Sequence, residues 1–242
     1  MAMKHWNVMI WLFLVTSSLP AKALPVSPQY VNKLDSITFR EDLVGEALLQ
    51  LQKEHDIKRE HLFVQTKFTP IGGQDATQPI PYNPSDSISK QITLEAWRTL
   101  TQLQDEGKVR LIGVSNTYDV RILAALQRVR PVQVVQNRWY EGNDWDPKVL
   151  NYCKESGIMY QSFWTLSGSP SLLAHPSLLQ IAKASKMTAP QTVYKIAQLE
   201  GIIPLSGTTD ENHMRQDVSV EELSFFEGSS QFLEDVRKFI KE

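Results

Sequence analysis

From Asp42 onward, apolar residues at helical spacing alternate with short apolar runs rich in β-branched residues, and few architectures accept that alternation. Leu43, Val44, Ala47, Leu48 and Leu51 share one helical face, and Leu62 to Lys67 follows as a strand bounded by Pro70 and Gly72-Gly73. Leu94, Trp97, Leu100 and Leu103 mark a helix stopped at Gly107, and Val109 to Val114 is the next strand, ending in polar Ser115-Asn116. The unit recurs: helix Val120 to Val129, strand Val132 to Val135, helix Val149 to Cys153 closed by Gly157, strand Ile158 to Trp164. Leu178 to Ala184 and the Pro190-started Gln191 to Leu199 are helices, Gly201 to Leu205 is a strand, and Phe232 to Ile240 closes the pattern as an amphipathic helix. Repeated βα units imply a parallel sheet wrapped by helices. Nearly every expected strand ends in a polar or Gly-containing segment, so a site is expected at the carboxyl ends of the strands.

A closed barrel is favoured over an open doubly wound sheet, because no Gly-x-Gly-x-x-Gly follows the first strand and no Walker loop occurs. The expected fold class is therefore α/β, a (β/α)8 TIM barrel. It is expected to be incomplete: only five good strands can be counted, whereas such a barrel typically takes about 250 residues. The 242 residues, 42% hydrophobic and 21% charged, exclude a disordered tail or a coiled coil. A formal net charge of −2 gives no electrostatic footprint for nucleic acid or an anionic membrane surface. The single cysteine, Cys153, forms no internal disulfide and is expected to be a small core residue.

Residues 1–24 read differently from the rest, and residues 25–242 are expected to form one barrel domain. Lys4 and His5 precede the apolar run Val8 to Val15, and Ala21-Lys22-Ala23 offers a small-x-small cleavage site, as in a secretory signal. The run is shorter than the about 20 apolar residues of a transmembrane helix. A buried strand is the alternative. The expected location is cytoplasmic, with secretory entry through residues 1–23 as the other reading.

Several stretches carry a resemblance to the aldo-keto reductase family. Asp105 to Asn116 resembles its most diagnostic segment, and Phe63-Val64-Gln65-Thr66-Lys67 resembles its third barrel strand. Val134-Val135-Gln136-Asn137, Tyr160 to Leu166 and Ile203 to Thr209 resemble later strands in the same order. The similarity runs from about Asp42 to Val220, and the chain is similar to a branch of the family found in fungi. It implies reduction of an aldehyde or ketone to an alcohol by hydride transfer, with NADP as cofactor, NAD as the alternative, and a small carbonyl compound as substrate. A fungal secondary-metabolite pathway is the implied setting.

Hydride arriving at a carbonyl carbon leaves negative charge on oxygen, which requires a proton donor and fixed positive electrostatics there. The family supplies a Tyr, a Lys, an Asp and a His. Lys67 matches the Lys and Asp35 the Asp, but Phe39 stands nearest to the Tyr position. No His lies among the 27 residues Phe68 to Leu94, where the family's fourth strand would carry one. The resemblance thus leaves two alternatives beside the active reductase, an inactive homologue that binds only nucleotide or a partner, and an incomplete gene product.

Cofactor positions match more fully. Ser115, Asn116 and Gln136 correspond to residues that hydrogen-bond the nicotinamide carboxamide, and Phe163 to the aromatic residue that stacks on its ring. Gly207-Thr208-Thr209 and the following helix with His213 and Arg215 suit phosphate, since backbone N–H groups at a helix start attract anions. No metal site is expected, because the five histidines lack ligand spacing. A serine hydrolase is disfavoured, since Gly113-Val114-Ser115-Asn116-Thr117 lacks the second glycine of a nucleophile elbow.

Overall fold

A computed structural model describes residues 9–14, 41–55, 58, 62–68 and 87–241. Every strand expected from Leu62 onward forms, with its start shifted by a residue or two. They are β2 (Val64–Phe68), β3 (Leu111–Ser115), β4 (Val134–Arg138), β5 (Met159–Phe163) and β6 (Ile202–Pro204). The helices between them are α1 (Glu41–His55), α2 (Ser87–Asp105), α3 (Val120–Gln127), α4 (Pro147–Ser156), α5 (Pro170–Leu173), α6 (Pro176–Ala184) and α7 (Ala189–Leu199). Two helices follow β6, α8 (Glu211–Ser219) and α9 (Ser230–Lys241).

The purely parallel sheet expected from the βα repeat needs one correction. Met9–Leu14 forms a further strand, β1, that pairs antiparallel with β2 (Trp11 opposite Lys67) and antiparallel with β3 (Trp11 opposite Gly113). An uncharged apolar run meets the backbone hydrogen-bonding needs of two strand edges at once, which exposed edges favour strongly.

The described elements fall into two compact units. The first holds β1, α1, β2, α2, β3 and α3 from Ile122 onward. In it, Trp97 of α2 is fully buried and its indole Nε1 donates to the Arg130 carbonyl at 3.3 Å. Arg130 also pairs with Asp105 at the end of α2, at 2.5 Å. These two contacts fix the helix to the turn that follows α3.

The second unit holds β4, β5, β6 and the helices α4 to α9. Its strands are parallel, with Gln136 opposite Gln161, Arg138 opposite Phe163, and Ser162 opposite Pro204. Gly157 ends α4 at φ 67, a left-handed conformation open to glycine, and the Ile158 N–H returns to the Cys153 carbonyl at 2.9 Å. The chain therefore turns straight into β5. Thr188 starts α7 with a reciprocal cap: its Oγ1 accepts from the Gln191 N–H while Gln191 Oε1 accepts from the Thr188 N–H. All five residues of β4 are buried, three of them polar. Buried polar side chains at the carboxyl end of a parallel strand are where a site is built.

Candidate functional site

Ser115 ends β3 and is fully buried, and the next residue, Asn116, sits in the left-handed region at φ 53. The Asn116 N–H donates to the Gln136 carbonyl at 3.0 Å, which holds the turn beside β4. Gln136 is fully buried, and its Nε2 donates to Gln161 Oε1 at 2.9 Å. Gln136 Oε1 is buried and has no hydrogen-bond partner among the described residues. Side chains two apart on a strand share a face, so Gln136 and Arg138 project alongside Gln161 and Phe163.

Arg138 is 5% exposed. Its guanidinium carbon lies 5.1 Å from the centre of the Phe163 ring and 5.0 Å from that of Trp164, within cation–π range. Its Nη1 donates to Asn116 Oδ1 at 3.1 Å, and its backbone N–H donates to the Tyr118 hydroxyl at 3.0 Å. Tyr118 in turn donates toward Asn116 Oδ1 at 3.4 Å. Burial pushes the Tyr118 phenol above its ordinary range, so it remains a neutral donor.

Asn137 points to the opposite face of β4 and ties three segments together. Its Oδ1 accepts from the Thr117 N–H at 2.9 Å, and its Nδ2 donates to the Thr117 carbonyl at 2.8 Å and to Asp146 Oδ2 at 2.7 Å. Asp146 also accepts from the Tyr160 hydroxyl at 2.8 Å. Burial pushes the Asp146 carboxyl up to about 7, against the opposing pull of those two hydrogen bonds. The two bonds to Thr117 anchor the segment that presents Asn116.

At the end of β6, Ser206 hydrogen-bonds Asp217 of α8, and burial raises the Asp217 carboxyl. Gly207, Thr209, His213 and Arg215 are exposed, and Thr208 is half-buried with its Oγ1 accepting from the Asp210 N–H at 3.0 Å. Asp210 caps α8 by accepting from the Asn212 and His213 N–H groups at 2.8 and 3.0 Å. Two amides expected to face an anion are thus taken by a carboxylate of the chain itself, and Arg215 pairs with Glu211. What remains exposed to a ligand is the Gly207 to Thr209 turn with His213.

Lys67 lies in β2, with its side chain outside the described residues, and Asp35 and Phe39 lie outside them altogether. Sequence reasoning placed Asn137 at a polar strand end without a role, and missed Tyr118, Arg138, Asp146, Tyr160 and Gln161. One signal was present: Gln136-Asn137-Arg138 places three polar residues in succession at the end of an apolar strand. Among the described residues no group of three or more His, Cys, Asp or Glu could hold a metal, and no helix is long and apolar enough to cross a membrane.

Parallel strands alternating with helices, and polar residues at the strand ends, define an α/β barrel class of protein. Residues 75–237 match the Aldo/keto reductase family, and the chain belongs to that family. It is 26% identical over 192 residues to the uncharacterized oxidoreductase YtbE of Bacillus subtilis (strain 168), covering 73% of this chain and 68% of that one. It is also 26% identical over 203 residues to aldo-keto reductase family 1 member C13 of Mus musculus, covering 78% and 62%. A crystal structure of an aldo/keto reductase from Brucella melitensis superposes with a TM-score of 0.53 at 19% identity, over 65% of this chain and 58% of that one. The fold is that family's (β/α)8 barrel in incomplete form. The chain spans about two thirds of the length of these curated relatives and little more than half of the solved one.

Proposed function

We propose that this chain binds NADP(H) at the carboxyl ends of β4 to β6 and serves the reduction of an aldehyde or ketone to an alcohol. The observation that carries the reading is Gln136 Oε1, a fully buried acceptor with no partner among the described residues. A buried acceptor left unmade costs about 1–3 kcal/mol, so a donor from a ligand restores what the fold gives up there. The nicotinamide carboxamide carries an N–H2 to give and a carbonyl to receive, and the residues present fit both. Gln136 Oε1 accepts. Asn116, whose Oδ1 is engaged by Arg138 and Tyr118, keeps its Nδ2 hydrogens to donate.

By the family resemblance Ser115 is a further carboxamide position, and Phe163 offers an aromatic ring to the nicotinamide. The Gly207-Thr208-Thr209 turn receives phosphate oxygens through backbone N–H groups, and His213, with Arg215 only when it leaves Glu211, favours NADP over NAD. A bound reduced nicotinamide supplies the hydride that reaches the carbonyl carbon. By the family resemblance Lys67 and Asp35 are the lysine and aspartate of the reaction: the Lys67 ammonium would favour negative charge developing on the carbonyl oxygen, and Asp35 would keep that lysine charged. With Phe39 at the tyrosine position, proton delivery is left to water.

NADPH oxidation with a panel of aromatic and aliphatic aldehydes tests the reading. Turnover is expected to be slow, roughly 10²- to 10⁴-fold below that of an enzyme with a positioned general acid. It should fall further in Lys67→Met. Turnover that is identical in wild type and Lys67→Met would remove Lys67 from the chemistry.

A further inference from the structure

Among the described residues Arg138 is the one buried cation on the strand face that carries Gln136, and its Nε is left without a hydrogen-bond partner. Among the described residues no carboxylate lies within ion-pair distance of it. Nη1 is taken by Asn116 Oδ1. Nε is buried with no partner among the described residues. The Nε–Nη2 edge of a guanidinium presents two parallel N–H groups, the fork that matches the two oxygens of a carboxylate. The rings of Phe163 and Trp164 lie beside the guanidinium at 5.1 and 5.0 Å, so the space next to this edge is walled by flat apolar surface. A buried positive charge without a counter-ion is strongly disfavoured, and an anion that docks there relieves it.

We propose that Arg138 anchors the carboxylate of an oxoacid, so that the site takes carbonyl compounds bearing a carboxylate in preference to neutral aldehydes. The carbonyl half of this assignment rests on the carbonyl-reductase reading, and the carboxylate half rests on Arg138 alone. The flat walls favour a planar carboxylate over a tetrahedral phosphate. Trp164 is 37% exposed and 5.0 Å from the guanidinium, which makes its fluorescence a reporter of occupancy.

The test titrates the full chain, without cofactor, with phenylglyoxylate and with benzaldehyde, following tryptophan fluorescence and heat. Phenylglyoxylate is expected to bind at least about tenfold more tightly than benzaldehyde, as hydrogen bonds to charged groups allow. Arg138→Met should abolish that difference. Arg138→Lys keeps the charge but not the fork and should lose most of it, which decides the matter if thermal melting shows Arg138→Met unfolded. Equal binding of the two compounds, unchanged affinity in Arg138→Lys, or displacement of phenylglyoxylate by equimolar inorganic phosphate would each overturn the proposal. Binding that depends on Arg138 without any NADPH oxidation would leave the carboxylate site standing and remove the reductase reading. Oxidation at the same kcat/KM for both compounds, in wild type and Arg138→Lys alike, would do the reverse.

Discussion

The Tyr160 hydroxyl donates to Asp146 Oδ2 at 2.8 Å, and the acceptor is a carboxyl that burial pushes up to about 7. Asp146 is 6% exposed, so the neutral acid is the form the fold prefers. In the unfolded chain the same group ionises near 3.8. A raised carboxyl contributes stability that is fully present below the unfolded value and is lost as pH rises through the folded one. Asp146 therefore draws stability down between about pH 4 and pH 7, by an amount on the order of 4 kcal/mol at 1.36 kcal/mol per pH unit. Asp146→Asn retains an amide carbonyl for Tyr160 and a residue type that tolerates the left-handed backbone at φ 51. Chemical denaturation from pH 4 to 8 is expected to show the variant gaining on wild type up to pH 7 and level above it. A difference that does not change with pH would mean the carboxyl is ionised throughout.

Cys153 is fully buried on α4, and burial, followed by the charge of Asp146, pushes its thiol up to about 12. The thiolate is the reactive form, so the folded chain at pH 8 should not react with Ellman's reagent, whereas the chain in guanidinium should react fully. Reaction of the folded chain within minutes would place the thiol at the surface.

Much of this architecture could be read from local signals. Gly157 stops α4, and Thr188 with Pro190 and Gln191 starts α7, because caps and breakers act on residues a few positions away. The network under the site could not be read this way. Asp146 meets Asn137 and Tyr160, which are 9 and 14 residues distant, and nothing in the local pattern shows that a turn aspartate is buried. Arg138 was passed over for a related reason, since a charged residue closing an apolar strand reads as solvent-exposed until its ring neighbours are placed. Val8 to Val15 fits two patterns, a signal segment and a strand, and its Met9–Leu14 part pairs with β2 and β3.

Gly168 is packed so closely that a Cβ there would lie 2.7 Å from Tyr140 Cδ2, 2.8 Å from Tyr140 Cβ and 2.9 Å from the Trp164 carbonyl. None of these is the free end of a flexible chain. Gly168→Ala should therefore cost about 1–3 kcal/mol of stability, as overpacking does. It should also disturb the edge-to-face pair of Tyr140 and Trp164, whose ring centres are 5.6 Å apart. A lowered denaturation midpoint with an altered near-ultraviolet circular dichroism spectrum is the expected result. An unchanged spectrum and midpoint would show that the turn opens without resistance.

Calorimetric titration of the full chain with NADPH, repeated with NADH and with Asn116→Gly, bears most directly on nucleotide binding at the strand ends. Glycine preserves the left-handed backbone at φ 53 and removes the side-chain amide together with the bonds its Oδ1 accepts from Arg138 and Tyr118. One hydrogen bond is worth about 0.5–1.5 kcal/mol net, so the substitution should weaken binding several-fold and no more. Saturable heat with NADPH, one nucleotide per chain and several-fold weaker in Asn116→Gly, is the predicted result; no heat with NADPH or NADH at any workable concentration would contradict it.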